Sequence, residues 1–146
     1  IPLKRIDVDD PGTIHDADTP EDFSTLVEYH NSQLVRPVVN VSLTREKPFF
    51  DSKIAMLLML VDETKSVRAA SQRMQLSYSS CWNIIRTLES QLNYALIERS
   101  QGGAGGSTSD LTQRGRELLD RYNAYDKKLK EQATELYEAY FGGLFE

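Results

Sequence analysis

Ser77, Tyr78, Ser79, Ser80, Asn83 and Arg86 lie within a span of ten residues. Hydroxyls and tyrosine phenols bind phosphate oxygens, an asparagine amide matches the edge of adenine, and a guanidinium matches the edge of guanine. Ser77 suits the N-cap of a helix, which would put these side chains on or near the exposed first turns, where free backbone N–H groups also attract phosphate. Further on, Arg99 precedes the run Gly102-Gly103-Ala104-Gly105-Gly106-Ser107. Small residues let a backbone approach a sugar-phosphate chain closely, and Arg99 at the base of the loop adds charge. Gly103, Gly105 and Ser107 are therefore candidate backbone contacts. A nucleotide-phosphate loop fits poorly, because no Gly-Lys-Ser/Thr follows and the next element reads as a strand. The plainer readings are a helical surface used for protein contacts and a loop without a ligand. Against them stands the order of the elements: short helix, brief break, second helix, strand, glycine-rich loop, strand. That is the plan of a winged helix-turn-helix, which sets one helix in the DNA major groove.

No other constellation is complete enough for catalysis. His15 and His30 have no Cys or His at ligand spacing. Cys81 falls on an apolar stripe beside Trp82, with no histidine near it in sequence, and reads as a small buried residue. Asp16 and Asp18 could contribute to a Mg²⁺ site only with further partners. Asp18 is explained by a turn and helix cap, which leaves Asp16 as a weak metal candidate. The chain is read as a binding protein, not an enzyme, with no cofactor and no small-molecule ligand.

Composition supports a globular domain of ordinary polarity: 146 residues, 40% hydrophobic and 27% charged. No apolar run is long enough to span a bilayer, and the N-terminus lacks the pattern of a secretory signal. A lone cysteine fits a reducing cytoplasm. The net charge of −5 argues against a strong non-specific nucleic-acid binder. Its distribution is uneven, however. Residues 66–116 carry Arg68, Arg73, Arg86, Arg99, Arg114 and Arg116 against Glu89, Glu98 and Asp110. The candidate reading surface is the basic part of an acidic chain.

The elements that must hold these residues can be placed from pattern. LKRIDV (residues 3–8) could be a strand. Asp18 or Thr19 caps a helix with Pro20 in its first turn, a stripe of Phe23, Leu26, Val27 and His30, and an end at Asn31-Ser32. The chain divides near Pro37. VVNVSL (residues 38–43) alternates and reads as a strand, TREK as a turn, and Pro48-Phe49-Phe50 as the return. Asp51 or Ser52 caps a helix to about Glu63, apolar enough to need cover on most sides. Ser66 caps a helix from Val67 to Met74. Ser77 caps one from Tyr78 to Leu92, with Cys81, Trp82, Ile85, Leu88 and Leu92 as its inner stripe and Asn93 as its stop. Residues 95–100 and 110–112 are read as the strands of the wing, and Thr112 caps a last helix to about Phe141. Leu118, Tyr122, Tyr125, Leu129, Gln132, Leu136 and Tyr140 repeat along it at nearly heptad spacing. A helix of this length, about 42 Å at ~1.5 Å per residue, overshoots a domain of this size. The seam, chiefly Leu118, Tyr122, Tyr125, Leu129 and Leu136, is expected to pair with a second copy, helped by the wide apolar face of the Lys53–Glu63 helix.

The stretch from Phe49 to Tyr125 resembles the N-terminal domain of the ModE-type, molybdate-responsive regulators, which are related to LysR-type winged-helix domains. The resemblance is carried by Phe49-Phe50, Asp62-Glu63-Thr64 leading into Ser66, Met74-x-Leu76-Ser77-Tyr78, Trp82, Glu98-Arg99 and the GGAGGS loop. It implies a DNA-binding homodimer. The family's C-terminal molybdate-binding domain has no counterpart here, so molybdate sensing does not carry over. Residues 1–36 resemble the C-terminal end of molybdenum-cofactor nucleotidyltransferase-like domains, on Asp7-x-Asp9-Asp10-Pro11-Gly12 and HDADTPEDFSTL. The resemblance implies that Asp16 is a Mg²⁺ ligand. That family's Gly-rich nucleotide loop has no counterpart in this sequence. A start at Ile1 without Met agrees with a piece of a longer fusion.

The expected fold class is mainly α with small β elements (α+β): a winged helix-turn-helix over residues 37–146 with a long C-terminal dimerisation helix, preceded by a remnant over residues 1–36. The expected function is sequence-specific DNA binding as a homodimer in the cytoplasm, with double-stranded DNA as partner and no membrane. The alternatives are the non-catalytic tail of a nucleotidyltransferase fusion and a winged helix used for protein contacts.

Overall fold

The computed structural model describes residues 19–104 and 106–145. The chain forms two compact units, one from Val38 to Leu136 and one from the two chain ends, up to Pro37 and from Tyr137. The strand expected at LKRIDV and the candidates His15 and Asp16 lie outside the described residues, as does Gly105.

In the unit of the chain ends, α1 (Pro20–Gln33) begins where sequence places it. Thr19 is the cap: its Oγ1 accepts from the Asp22 N–H at 3.1 Å, and the Asp22 carboxylate in turn accepts from the Thr19 N–H and hydroxyl. This is the reciprocal pattern of a capping box. In the same unit Tyr137, Phe141 and Phe145 stack in series, with ring centroids 5.6 and 6.1 Å apart.

The larger unit opens with a hairpin, β1 (Ser42–Thr44) antiparallel to β2 (Pro48–Asp51), bulged between Leu43 and Thr44. The strand expected over residues 38–43 is thus mostly absent. β2 has four residues and pairs only with residues 42–44, so residues 38–41 gain no strand partner among the described residues. Asp51 caps α2 (Ser52–Thr64) by accepting from the Ile54 N–H, and Ala55, Leu57, Leu58 and Val61 of α2 are buried. Lys65 ends α2 in the left-handed region, φ 54°. Ser66 caps α3 (Val67–Arg73), Gln75 turns the chain with φ 55°, and Ser77 caps α4 (Tyr78–Leu92). Asn93 closes α4 at φ 59°, a conformation Asn tolerates better than most side chains.

β3 (Ile97–Gln101) and β4 (Ser107–Leu111) form an antiparallel hairpin with Ile97 opposite Leu111 and Gln101 opposite Ser107. β3 starts later than expected, because Ala95 and Leu96 are otherwise engaged. The Leu96 N–H donates to Glu89 Oε1, and the Leu96 and Ala95 carbonyls accept from the Thr112 N–H and hydroxyl. The strands instead extend to Gln101 and Ser107, leaving a shorter tip than the glycine run suggests. Thr112 then caps α5 (Gln113–Phe141).

One core joins these pieces: Phe50, the inner face of α2, Val67 and Ala70, then Cys81, Ile85 and Leu88, closed by Leu96, Leu111, Leu119 and Tyr122. Trp82 and Leu92, expected inside, are half-buried at its edge.

Candidate nucleic-acid interface

The buried stripe of α4 decides which side is left to solvent. With Cys81, Ile85 and Leu88 inward and about 3.6 residues per turn, Ser79, Asn83, Arg86 and Ser90 fall on the opposite side, and all four are exposed. At the start of the helix the Ser77 Oγ accepts from the Ser80 N–H at 3.1 Å and donates to the Ser80 Oγ at 2.7 Å. Ser77 is thereby spent on capping, while the Ser80 hydroxyl hydrogen and the exposed Ser79 remain at the surface.

Tyr78 and Trp82 form the ridge beside this face, edge to face at 6.3 Å. Three arginines from three elements converge on them. Arg68 of α3 lies over the Tyr78 ring at 4.8 Å, Arg99 of β3 over the Trp82 ring at 4.0 Å, and Arg86 of α4 at 5.8 Å from the same ring. The Arg99 guanidinium also donates to the Tyr78 hydroxyl at 3.4 Å. Each such cation–ring contact is worth about 0.5–1 kcal/mol at an exposed site and orients the guanidinium without neutralising it. Among the described residues none of the three takes an ion pair, whereas Arg73 pairs with Glu63 and Arg116 with Asp62 and Asp110. Sequence reading selected Arg86 and Arg99 and missed Arg68. The available signal was its membership of the basic segment 66–116.

At the tip of the wing, the Gly106 N–H bonds the Gly103 carbonyl at 3.2 Å, and Gly106 carries the positive φ of 83°. Gly106 is thus required by its φ, and Gly102 by space, because a Cβ there would run into the Gly106 carbonyl oxygen. Gly103, singled out from sequence, has open space where a Cβ would stand. Ser107 and Thr108 are exposed on β4.

Both strands of the wing are fastened to the helices. On β3, Glu89 of α4 accepts from the Leu96 and Ile97 N–H groups at 2.7 and 3.2 Å. On β4, the Ser109 N–H donates to the Lys65 carbonyl at 2.8 Å. Lys65 Nζ donates to Asp110 at 2.8 Å and Asp62 at 3.1 Å, and Arg116 of α5 donates to both oxygens of Asp62, at 2.9 and 2.8 Å, and to Asp110 at 3.3 Å. The hydrogen bond from Lys65 holds the Asp110 carboxyl below its ordinary range, and the same bond raises Lys65.

The α5 seam divides. Tyr122 is 4% exposed, sets its ring edge-on to Phe50 at 4.8 Å and donates its hydroxyl to the Val41 carbonyl at 2.8 Å. It is consumed by its own core, and half-buried Leu118 packs on that core too. For Tyr122 the expectation that it faces a second copy is corrected: its ring is needed to cover Phe50. Leu129 is half-buried, while Tyr125 is 53% exposed and Leu136 58%. Exposed Met56 and Met59 of α2 line a shallow groove beside Tyr122, Asn123 and Asp126.

Cys81 is buried, and burial pushes its thiol pKa up. Among the described residues no three His, Cys, Asp or Glu side chains gather closely enough to hold a metal ion, and no helix is long and apolar enough to cross a membrane.

Residues 55–116 match the family model of bacterial regulatory helix-turn-helix proteins of the lysR family. The transcriptional regulator ModE of Yersinia pestis is 29% identical over 79 residues, covering 54% of this chain and 30% of that protein. The DNA-binding transcriptional dual regulator ModE of Escherichia coli K12 gives the same figures: 29% over 79 residues, 54% and 30%. The chain therefore spans about a third of the length of the curated relatives it matches. A crystal structure of a CbnR DNA-binding domain–DNA complex aligns over 60% of this chain and 94% of that one, at 22% identity and a TM-score of 0.47.

Proposed function

We propose that the chain is the DNA-binding part of a transcriptional regulator and acts as a homodimer on double-stranded DNA in the cytoplasm. The observation that carries this reading is the convergence of Arg68, Arg86 and Arg99 on the Tyr78–Trp82 ridge, each without a carboxylate partner among the described residues. Ser79, Asn83 and Arg86 on the outer face of α4 read base edges. Ser80, Tyr78, Arg68 and Arg99 hold phosphates, with the Ser77 cap setting the helix start. Gly103, Gly105 and Ser107 let the wing tip approach the backbone. Exposed Tyr125 and Leu136, with Leu129, pair α5 with its copy and set the distance between two α4 helices. The match of residues 55–116 to a regulatory helix-turn-helix family and the similarity to two ModE regulators support the reading.

A tie to molybdenum metabolism rests on the ModE resemblance. The assignment of residues 1–36 as a nucleotidyltransferase remnant, with Asp16 a former metal ligand, rests on sequence alone; the sequence of the gene upstream of Ile1 tests it.

The test of the main reading is a gel shift with the promoter region of the chain's own gene, at two salt concentrations and against non-specific competitor. Binding that survives competitor and weakens steeply with salt is expected. Absence of a shift, or a shift indifferent to salt, overturns the proposal.

A further inference from the structure

Three described residues other than glycine have positive φ: Lys65, Gln75 and Asn93. Asn93 suits that region. Lys65 does not, since a side chain with a full Cβ is disfavoured there and glycine is the usual residue at the end of a helix. What Lys65 gains in exchange is reach. From the end of α2 its ammonium bridges Asp62 on its own helix and Asp110 on β4, while Arg116 from the first turn of α5 bridges the same two carboxylates. Two cations and two anions thus alternate across three elements. The Lys65 carbonyl takes the Ser109 N–H at the same point. Asp110 is directly opposite Glu98 in the hairpin, and Ser109 opposite Arg99.

We propose that this four-residue lattice is a wing anchor: Lys65, Asp62, Asp110 and Arg116 are positioning residues that fix the wing, and with it Arg99, against the duplex without touching DNA. The inference rests on the DNA-binding reading and deepens it. The lattice works on β4, the strand that Glu89 does not hold. With β4 free, the hairpin would pivot on β3 and the tip would leave the backbone.

A substitution exists for which simple charge and anchoring predict opposite signs. Asp110→Asn removes one negative charge from the wing, so electrostatics alone tightens DNA binding. The asparagine Oδ1 can still accept from the Leu111 N–H, as Asp110 does at 2.8 Å. Anchoring predicts weaker binding, by about three- to tenfold if two exposed ion pairs are lost. The experiment uses the full chain on its promoter DNA, with hydroxyl-radical footprinting and amide exchange of the free protein. The expected result is loss of the backbone protection under the wing, retention of the backbone protection flanking α4, and faster exchange at Ser109. Equal or tighter binding with an unchanged footprint overturns the anchor. If the wild type binds no DNA, the functional reading fails separately, and Ser109 exchange decides whether the lattice holds the wing: faster in the variant supports it, unchanged refutes it. Should Asp110→Asn fail to fold, Lys65→Gly replaces it. That change relaxes the left-handed backbone while deleting the ammonium, so a retained melting temperature with faster Ser109 exchange is expected, and Lys65→Arg restores slow exchange. Wild-type exchange in Lys65→Gly refutes the anchor.

Discussion

Gly115→Ala distinguishes two physical arguments that predict opposite outcomes. Gly115 lies in the first turn of α5, is buried, and donates its N–H to the Thr112 Oγ1 at 3.0 Å. Helix propensity alone makes alanine better there by about 1 kcal/mol. A Cβ at this position, however, would stand 2.5 Å from the Leu96 carbonyl oxygen, 3.2 Å from its Cα and 3.3 Å from its carbonyl carbon. Ordinary contact begins near 3.4 Å, so the oxygen would have to retreat by roughly 0.9 Å. It is poorly placed to do so. That oxygen accepts from the Thr112 N–H, the Leu96 N–H is held by Glu89, and the Leu96 side chain is 0% exposed in the core. Overpacking against backbone costs about 1–3 kcal/mol, and losing the Thr112–Leu96 hydrogen bond adds about 1 kcal/mol. Set against the propensity gain, the net loss is about 1–3 kcal/mol, or roughly 4–8 °C in melting temperature per kcal/mol for a unit near 100 residues. Urea denaturation measures it, with a lower midpoint and an unchanged slope expected. A midpoint equal to or above that of the wild type would refute the claim that α5 and the start of the wing are locked together through this contact.

Arg86→Ala is expected to lower specific affinity by about 1–3 kcal/mol and relax base preference, whereas Arg68→Ala and Arg99→Ala weaken all sequences alike and each reduce the slope of log affinity against log salt by about 1; unchanged operator binding in Arg86→Ala removes that residue from the site. Combined Tyr125→Glu and Leu136→Glu places charge on the exposed seam and should turn a dimer into a folded monomer in sedimentation; a persistent dimer refutes the seam. The Asp110 carboxyl, held down first by its hydrogen bond from Lys65 and further by Arg116, should titrate below an aspartate of the unfolded chain. Its contribution to stability is then full above the unfolded value and lost as pH falls through the folded one. Lys65, raised by the same pair and by Asp62, stays charged throughout that range. A carboxyl NMR titration in which Asp110 follows the ordinary aspartate value contradicts the ion-pair geometry.

The elements of the larger unit were readable because capping and stripe agree there. Ser66, Ser77 and Thr112 each cap a helix, and Cys81, Ile85 and Leu88 recur at helical spacing on a face that is buried. The hairpins were less legible. Residues 38–41 have a strand's composition, but pairing depends on a partner, and β2 is too short to reach them. The division of α5 was also hidden. Tyr122 and Tyr125 look alike in a heptad pattern, and only the position of Phe50 and Val41 assigns one to the core and leaves the other exposed.

The charge of the site shows why segment totals mislead. Residues 66–116 hold six arginines and three carboxylates, a modest excess of positive charge. In the fold these charges do not average. Arg73 and Arg116 are taken up by ion pairs and Arg114 lies over the Tyr94 ring, while Arg68, Arg86 and Arg99 share one ridge. The carboxylates are removed from that ridge by other work. Glu89 holds the backbone of Leu96 and Ile97, and Asp110 is bound by Lys65 and Arg116. Glu98 and Arg99 are successive residues of one strand and so project to opposite faces of the hairpin. An acidic chain can in this way present a locally cationic surface. The aromatic rings of Tyr78 and Trp82 make it possible, because they fix three guanidiniums side by side at the cost of no neutralising anion. A ring can hold a cation in place for a phosphate; a carboxylate in the same position would compete with the phosphate for it.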